Sequence, residues 1–142
     1  MSGGAPTIRL GTWDALSAQA SPIRFAVFVA EQKVPAELEL DAFDALSCHA
    51  VAWVDGVPVG TGRLLPDGHI GRMAVLAGWR GRGIGAALLT ALMAEAARRG
   101  MRRLVLNAQT HAMDFYAGFG FVPEGAEFEE AGLPHRTMTR SR

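Results

Sequence analysis

The sequence predicts a mixed α/β (α+β) fold, helices flanking a mostly antiparallel sheet, on three observations. Two Asp-Gly pairs, Asp55-Gly56 and Asp67-Gly68, separate β-branched and apolar runs between Ser47 and Leu76, the pattern of a three-stranded antiparallel meander. Ile84, Leu88, Leu92 and Ala96 recur every fourth residue up to Gly100, which marks an amphipathic helix closed by a glycine cap. RRLVLNA, Arg102 to Ala108, then reads as a strand. The chain has 142 residues, the size of one domain spanning 1–142 with room for a real core.

The elements follow in order. PTIRLGTW, Pro6 to Trp13, alternates like a short strand, and SPIRFAVFVAEQ opens a helix with Ser21 as cap and Pro22 at the first helical position. Pro35 ends that helix, and an acidic loop leads into the meander. The next helix runs from Ile84 to Arg99. After the strand at 102–108, Thr110 caps a short helix through Phe119, and FVPEG and HRTMTR supply one or two last strands. There are no repeats, linkers or low-complexity segments.

Composition narrows the function. Lys and Arg number 14 and so do Asp and Glu, which removes the bulk electrostatic case for nucleic acid or an anionic membrane. A single cysteine, Cys48, fits a reducing compartment, and neither a leader segment nor a bilayer-length apolar run is read, so a cytoplasmic protein is expected. Cys48 and His49 are neighbours on a strand and point to opposite faces, and His69 and His111 lack partners at ligand spacing; no metal site is expected. The arginines at 98, 99, 102 and 103 mark a helix end, where positive charge is favourable. Charge is nonetheless uneven: Glu31, Glu37, Glu39, Asp41 and Asp44 crowd residues 31–44, while residues 63–103 hold eight arginines against Asp67 and Glu95. That asymmetry reads either as two ligands of opposite sign or as two solvated faces.

The stretch RGRGIGAALL, Arg80 to Leu89, places three glycines at the start of a helix, where each weakens it by roughly 1 kcal/mol relative to alanine. Bare backbone there suits an anion, held by free amides and the positive end of the helix dipole. A phosphate loop of the Walker type needs a Gly-Lys pair, and this stretch holds no lysine. The dinucleotide fingerprint is matched literally by Gly81, Gly83 and Ala86, but the following strand carries Asn107 where an acid would hold the ribose, and hairpins replace crossover helices. Arg80-Gly81-Arg82-Gly83-Ile84-Gly85 fits R-x-x-G-x-G and resembles the pyrophosphate loop of the GNAT superfamily of acetyl-coenzyme A dependent N-acetyltransferases. FYAGFGF, Phe115 to Phe121, resembles that family's Tyr-x-x-x-Gly-Phe element. VFVAEQKVPAELELD, GRMAV, LNAQTHAMDFY and EAGLPH together look like its ElaA-like or YjcF-like subgroup. The likeness runs from about Ile23 onward.

The resemblance implies a sheet whose two parallel central strands splay apart to admit acetyl-CoA, and transfer of an acetyl group to a primary amine. Amides around Arg82, Gly83, Ile84, Gly85 and Ala86 would receive the pyrophosphate, with Arg80, Gly81 and Arg82 at the rim. Met73, Ala74 and Val75 would pair with the pantetheine arm and polarise the thioester, and Asn107 would contact the same arm. Tyr116 falls where the family places the acid that protonates sulfur; from spacing alone it also reads as core packing with Phe115 and Phe119. For the base, Glu31 is the first choice and Glu39 the second. Asp41 and His135 are further candidates at the acceptor side. The expected partners are acetyl-CoA and an amine, with no nucleic acid, no membrane and no metal, in a monomer or homodimer. Transfer of a longer acyl group, or a binding module that senses acetyl-CoA without turnover, stand as alternatives.

Overall fold

A computed structural model describes residues 4–141. After β1 (Thr7–Gly11), the Thr12 hydroxyl accepts the Ala15 amide at 3.2 Å, so α1 runs Trp13–Arg24. The predicted start at Ser21-Pro22 is therefore wrong, and Pro22 lies inside the helix. Leu16, Ala20, Ile23 and Val27 are buried at helical spacing, and that apolar stripe carries the helix past a residue that cannot donate to the preceding turn. Beyond it the backbone widens into a π-helix, Phe25–Glu31. Pro35 does not end this helix but precedes α2 (Ala36–Glu39), a single turn within the acidic loop.

The meander forms as predicted, with β2 (Cys48–Val54), β3 (Val57–Leu64) and β4 (Ile70–Val75), and β1 adds a fourth antiparallel strand at the edge of β2. Against it packs α3 (Ile84–Arg98), whose Ile84, Leu88, Leu89 and Leu92 are buried with Val59, Leu64 and Leu106 in the main core. Gly60 and Gly62 of β3 lie directly under Leu88 and Leu92, which lets the helix close on the sheet.

The remaining strands build a second sheet. β5 (Arg103–Gln109) pairs along its whole length with β8 (Leu133–Ser141), and β8 also pairs with β6 (Val122–Pro123) and β7 (Phe128–Glu130). The predicted short helix is trimmed to α4 (Met113–Ala117) behind a 3-10 turn at Thr110–Ala112, and Thr110 does not cap it. The expected single central sheet is instead two four-stranded sheets. Among the described residues they meet at one parallel bridge, His69 to Val105, with the Val105 amide on the Gly68 carbonyl at 3.1 Å. Past that point β4 and β5 diverge, and a bulge in the β3–β4 pairing puts Arg72 at φ +50, a sparsely populated conformation that bends β4 further.

Gly68 is thus more than a hairpin residue. Its φ is +97, and a Cβ built on it would stand 2.5 Å from the Arg103 carbonyl oxygen. Gly68→Ala should cost about 2–3 kcal/mol by forcing the two sheets apart; a urea midpoint equal to the parent's would remove Gly68 from this junction.

Candidate active site

The divergence of β4 and β5 opens a cavity of about 600 Å³. Met73 of β4, Asn107 of β5, Tyr116 of α4 and His135 of β8 line it, and the loop carrying Glu39 and Asp41 closes the far side. These six predicted residues, scattered over almost a hundred positions, share one chamber. Asn107 is held in place by its neighbours: its Oδ1 accepts from Thr137 at 3.0 Å and its Nδ2 donates to Glu130 at 3.4 Å.

The glycine loop lies beside the cavity, outside its lining. Gly81 and Gly83 have φ +77 and +79, and the space where their side chains would stand is open. Gly83 is the residue before α3 and offers no side-chain cap. The first intrahelical bond runs from the Ala87 amide to the Gly83 carbonyl at 3.0 Å, so the amides of Ile84, Gly85 and Ala86 precede the helix's own hydrogen bonding. This is an anion cradle of main-chain donors on a 15-residue helix. A Cβ on Gly85 would contact Phe115 at 3.6 Å and Val75 at 3.9 Å, which places the cradle against the end of β4 and against α4. The residues present fit a coenzyme A thioester: donors for its diphosphate at the helix end, a strand edge for its amide arm, and a chamber beyond. Arg82 stacks on Trp79 with 4.9 Å between guanidinium and ring centre.

Arg80 does not stand free at the rim. It forms a bidentate pair with Glu31 at 2.6 and 2.7 Å and donates to the Val75 carbonyl at 2.9 Å. That bond holds the Glu31 carboxyl below its ordinary pKa. Glu31 also lies outside the cavity lining. The structure therefore gives the first-choice base a different place, tying the end of the π-helix to the glycine loop.

The acidic loop is corrected in the same way, since it is neither a free anionic surface nor a solvated face. Glu39 is bonded by the Arg24 Nε, and Asp44 accepts from Arg24 at 2.7 and 3.0 Å and from Arg63 at 2.9 Å. Asp41 takes both Arg63 nitrogens at 2.7 and 2.9 Å and Arg72 at 3.1 Å. Arg72 further donates to the Glu39 and Leu38 carbonyls. Three carboxylates thus meet three guanidiniums, and the sum is zero. Arg63 holds the Asp41 carboxyl below its ordinary pKa; burial pushes Asp44 up, but Arg24 and Arg63 outweigh it and the net direction is down. Of the two charge blocks of the sequence, Glu39, Asp41 and Asp44 on one side and Arg63 and Arg72 on the other meet in this lattice, and Arg24 joins from outside both. Arg24, Arg63, Arg72 and Asp44 were not singled out by sequence, because their partners lie 15 to 34 positions away. The available signal was an arginine inside each of three apolar segments, RFAVF, TGRLL and GRMAV.

Tyr116 and His135 also stand on the cavity wall, together with Glu130, His69 and His111. Burial pushes the Tyr116 hydroxyl up to about 12, and its ring packs edge-on to Phe115 with 5.1 Å between centroids. The ring is packed as the spacing predicts, and Tyr116 is also among the residues lining the chamber. His135 is 6% exposed; its Nδ1 donates to the Leu133 carbonyl at 2.8 Å, which leaves Nε2 as the acceptor, 3.7 Å from Glu130. Glu130 was not predicted. Cys48 is buried, with its thiol pushed up by burial, and among the described residues no cluster could hold a metal. No helix among them is long and apolar enough to cross a membrane.

A fold of two sheets parted by a V, with a glycine-built anion cradle at its mouth, is that of the acyl-CoA N-acyltransferases. Residues 15–142 match the acetyltransferase (GNAT) domain family, and the chain belongs to that family. Within it the chain falls in the group of YjcF and ElaA. It is 41% identical to an uncharacterized N-acetyltransferase, YjcF, of Bacillus subtilis over 122 residues, 83% of this chain and 87% of the relative. It is 32% identical to ElaA of Escherichia coli over 126 residues, 83% and 82% of the two chains. The crystal structure of Escherichia coli ElaA superposes with a TM-score of 0.87 at 27% identity, covering 96% of this chain and all of that one. An acyl-CoA N-acyltransferase from Pseudomonas aeruginosa superposes at 0.85 with 29% identity, covering 96% and 100%. The protein is accordingly a transferase of acyl groups carried on coenzyme A.

Proposed function

We propose that this domain moves an acetyl group from acetyl-CoA directly to a primary amine. The observation that carries the reading is the uncapped start of α3 standing against the end of β4, with Tyr116 and His135 on the walls of the chamber beyond it. The amides of Ile84, Gly85 and Ala86 bind the diphosphate, and the edge of β4 at Met73, Ala74 and Val75, freed by its divergence from β5, pairs with the arm and polarises the thioester carbonyl. His135 accepts the proton of the incoming ammonium at Nε2, directly or through one water, and Glu130 stabilises the imidazolium that forms. The Tyr116 hydroxyl donates to the departing sulfur. Glu39 and Asp41 border the amine without acting as bases, because arginines already occupy them.

Calorimetric titration with acetyl-CoA, coenzyme A and NAD tests the cradle. One-to-one binding of the two coenzyme A compounds and none of NAD is the expected result. Gly83→Asp, which keeps a backbone conformation that Asp tolerates while adding a carboxylate among the amides, should weaken acetyl-CoA at least about tenfold. Unchanged affinity in that variant would move the diphosphate elsewhere. Binding followed by no thiol release with any amine would make the domain a sensor.

A further inference from the structure

The chamber's charge and lining also bear on what the acceptor is, an inference that rests on the amine-transfer reading above. A polycationic acceptor needs several uncompensated carboxylates, and on the cavity wall the acidic loop offers none: Glu39 and Asp41 there, and Asp44 beside them, are each bonded to buried or half-buried arginines, while Glu37 lies outside the lining. An anionic acceptor needs a guanidinium to spare. Arg72 donates from Nε and Nη2 to the Glu39 and Leu38 carbonyls and to Asp41, and Arg63 gives its terminal nitrogens to Asp41 and Asp44, so each guanidinium is already matched by a carboxylate. Among the described residues on the wall, Glu130 is the one carboxylate without an arginine partner, and its side chain is half exposed beside His135. It matches a single ammonium.

Besides Gln32, Gln109, His69 and His111, the wall carries a set of apolar side chains. Phe28 and Val34 come from the π-helix and the turn after it, Leu38 and Phe43 from the loop, Leu65 from the residue after β3 and Leu133 from the start of β8. Leu38 and Phe43 line the cavity and yet are 54% and 50% exposed, so large hydrocarbon surfaces stand at its mouth facing water. Nothing in the loop's own packing requires that: the arginine lattice pins its carboxylates inward and turns these two side chains out. An apolar body resting on them removes that surface from water, at about 25 cal/mol per Å².

We propose that the acceptor is a primary monoamine on an apolar body of about the size of an aromatic ring with a short chain, its ammonium beside Glu130 and His135 and its body against Leu38 and Phe43. Thiol release from acetyl-CoA, measured with phenethylamine, tryptamine and hexylamine against spermidine, putrescine and glucosamine, tests this. The apolar monoamines should show kcat/KM at least about tenfold above the polyamines and the aminosugar, and Phe43→Ser should lower kcat/KM for phenethylamine about tenfold with acetyl-CoA affinity unmoved. Phe43 is half exposed, so that variant keeps its fold, which its urea midpoint checks. Preference for spermidine or glucosamine, or a Phe43→Ser enzyme as good as the parent on phenethylamine, overturns the acceptor assignment and leaves acetyl transfer standing. Acetyl-CoA bound with no release from any of the six overturns both.

Discussion

Tyr116→Phe should lower kcat by about 10²- to 10⁴-fold, the range for loss of a positioned acid, while the dissociation constant of acetyl-CoA stays within about twofold. The split follows from where the residue sits. Its ring packs on Phe115 and Phe121 and phenylalanine keeps those contacts, so the chamber holds its shape and only an O–H is lost. A hydroxyl pushed up to about 12 by burial is protonated throughout the neutral range, which makes it a donor and never the base. It is also a weaker acid than a thiol near 8.5, so its contribution is a hydrogen bond that strengthens as charge builds on sulfur, with the proton passing only as the carbon–sulfur bond breaks. The pH profile gives a second readout: kcat should run level from pH 8 to pH 10, where an ordinary tyrosine near 10 would already be ionising. Turnover of Tyr116→Phe within threefold of the parent would return the residue to packing alone.

What could be read before the fold was known divides along sequence distance. The meander, α3 and the glycine cradle rest on signals a few residues long, namely Asp-Gly turns, a four-residue repeat and a glycine run, and each appears in place. The start of α1 was misread because Ser21-Pro22 is a strong local signal and the stripe Leu16, Ala20, Ile23, Val27 that overrides it acts through burial. Glu31 was chosen as base for its nearness to a rigid element. Its partner Arg80 lies 49 positions on, and no local rule pairs them. His135 was legible as a titratable group and Glu130 beside it was not, because the turn between β7 and β8 that brings them within 3.7 Å is formed by Ala131 at φ +52 and Gly132 at φ +79, and only the glycine announces such a turn.

Arg24→Leu should unfold the protein more readily by about 3–5 kcal/mol, the cost of removing one partner of a buried ion pair and leaving the other charged. Arg24 is 1% exposed, stacks on Trp13 at 5.0 Å and is the guanidinium bonded to the Glu39 carboxylate, itself 6% exposed; Asp44 keeps Arg63 when Arg24 is gone, but the Glu39 carboxylate loses its bonded cation, Arg72 reaching only its main-chain carbonyl. Removing both members, Arg24→Leu with Glu39→Leu, should recover most of the loss, because an apolar pair of similar volume needs no compensation. A merely steric role for Arg24 would not be rescued that way. The dependence on pH separates the two further. In the parent, Asp41 and Asp44 have lowered pKa values, so the unfolded chain takes up protons first on acidification; the stability they contribute is complete well above the ordinary value of 3.8 and is lost as pH falls through the lowered values. Arg24→Leu removes one of the two guanidiniums that lower Asp44, so the electrostatic part of the loss fades as pH falls below 3.8 and Asp44 takes up its proton in both proteins. Urea midpoints of parent and variant should therefore converge as pH falls from 7 through the lowered Asp44 value. A gap that stays constant across that window would show that the loop carrying Leu38, Glu39 and Asp41, and with it the wall of the acceptor chamber, is held by packing and not by the arginine lattice.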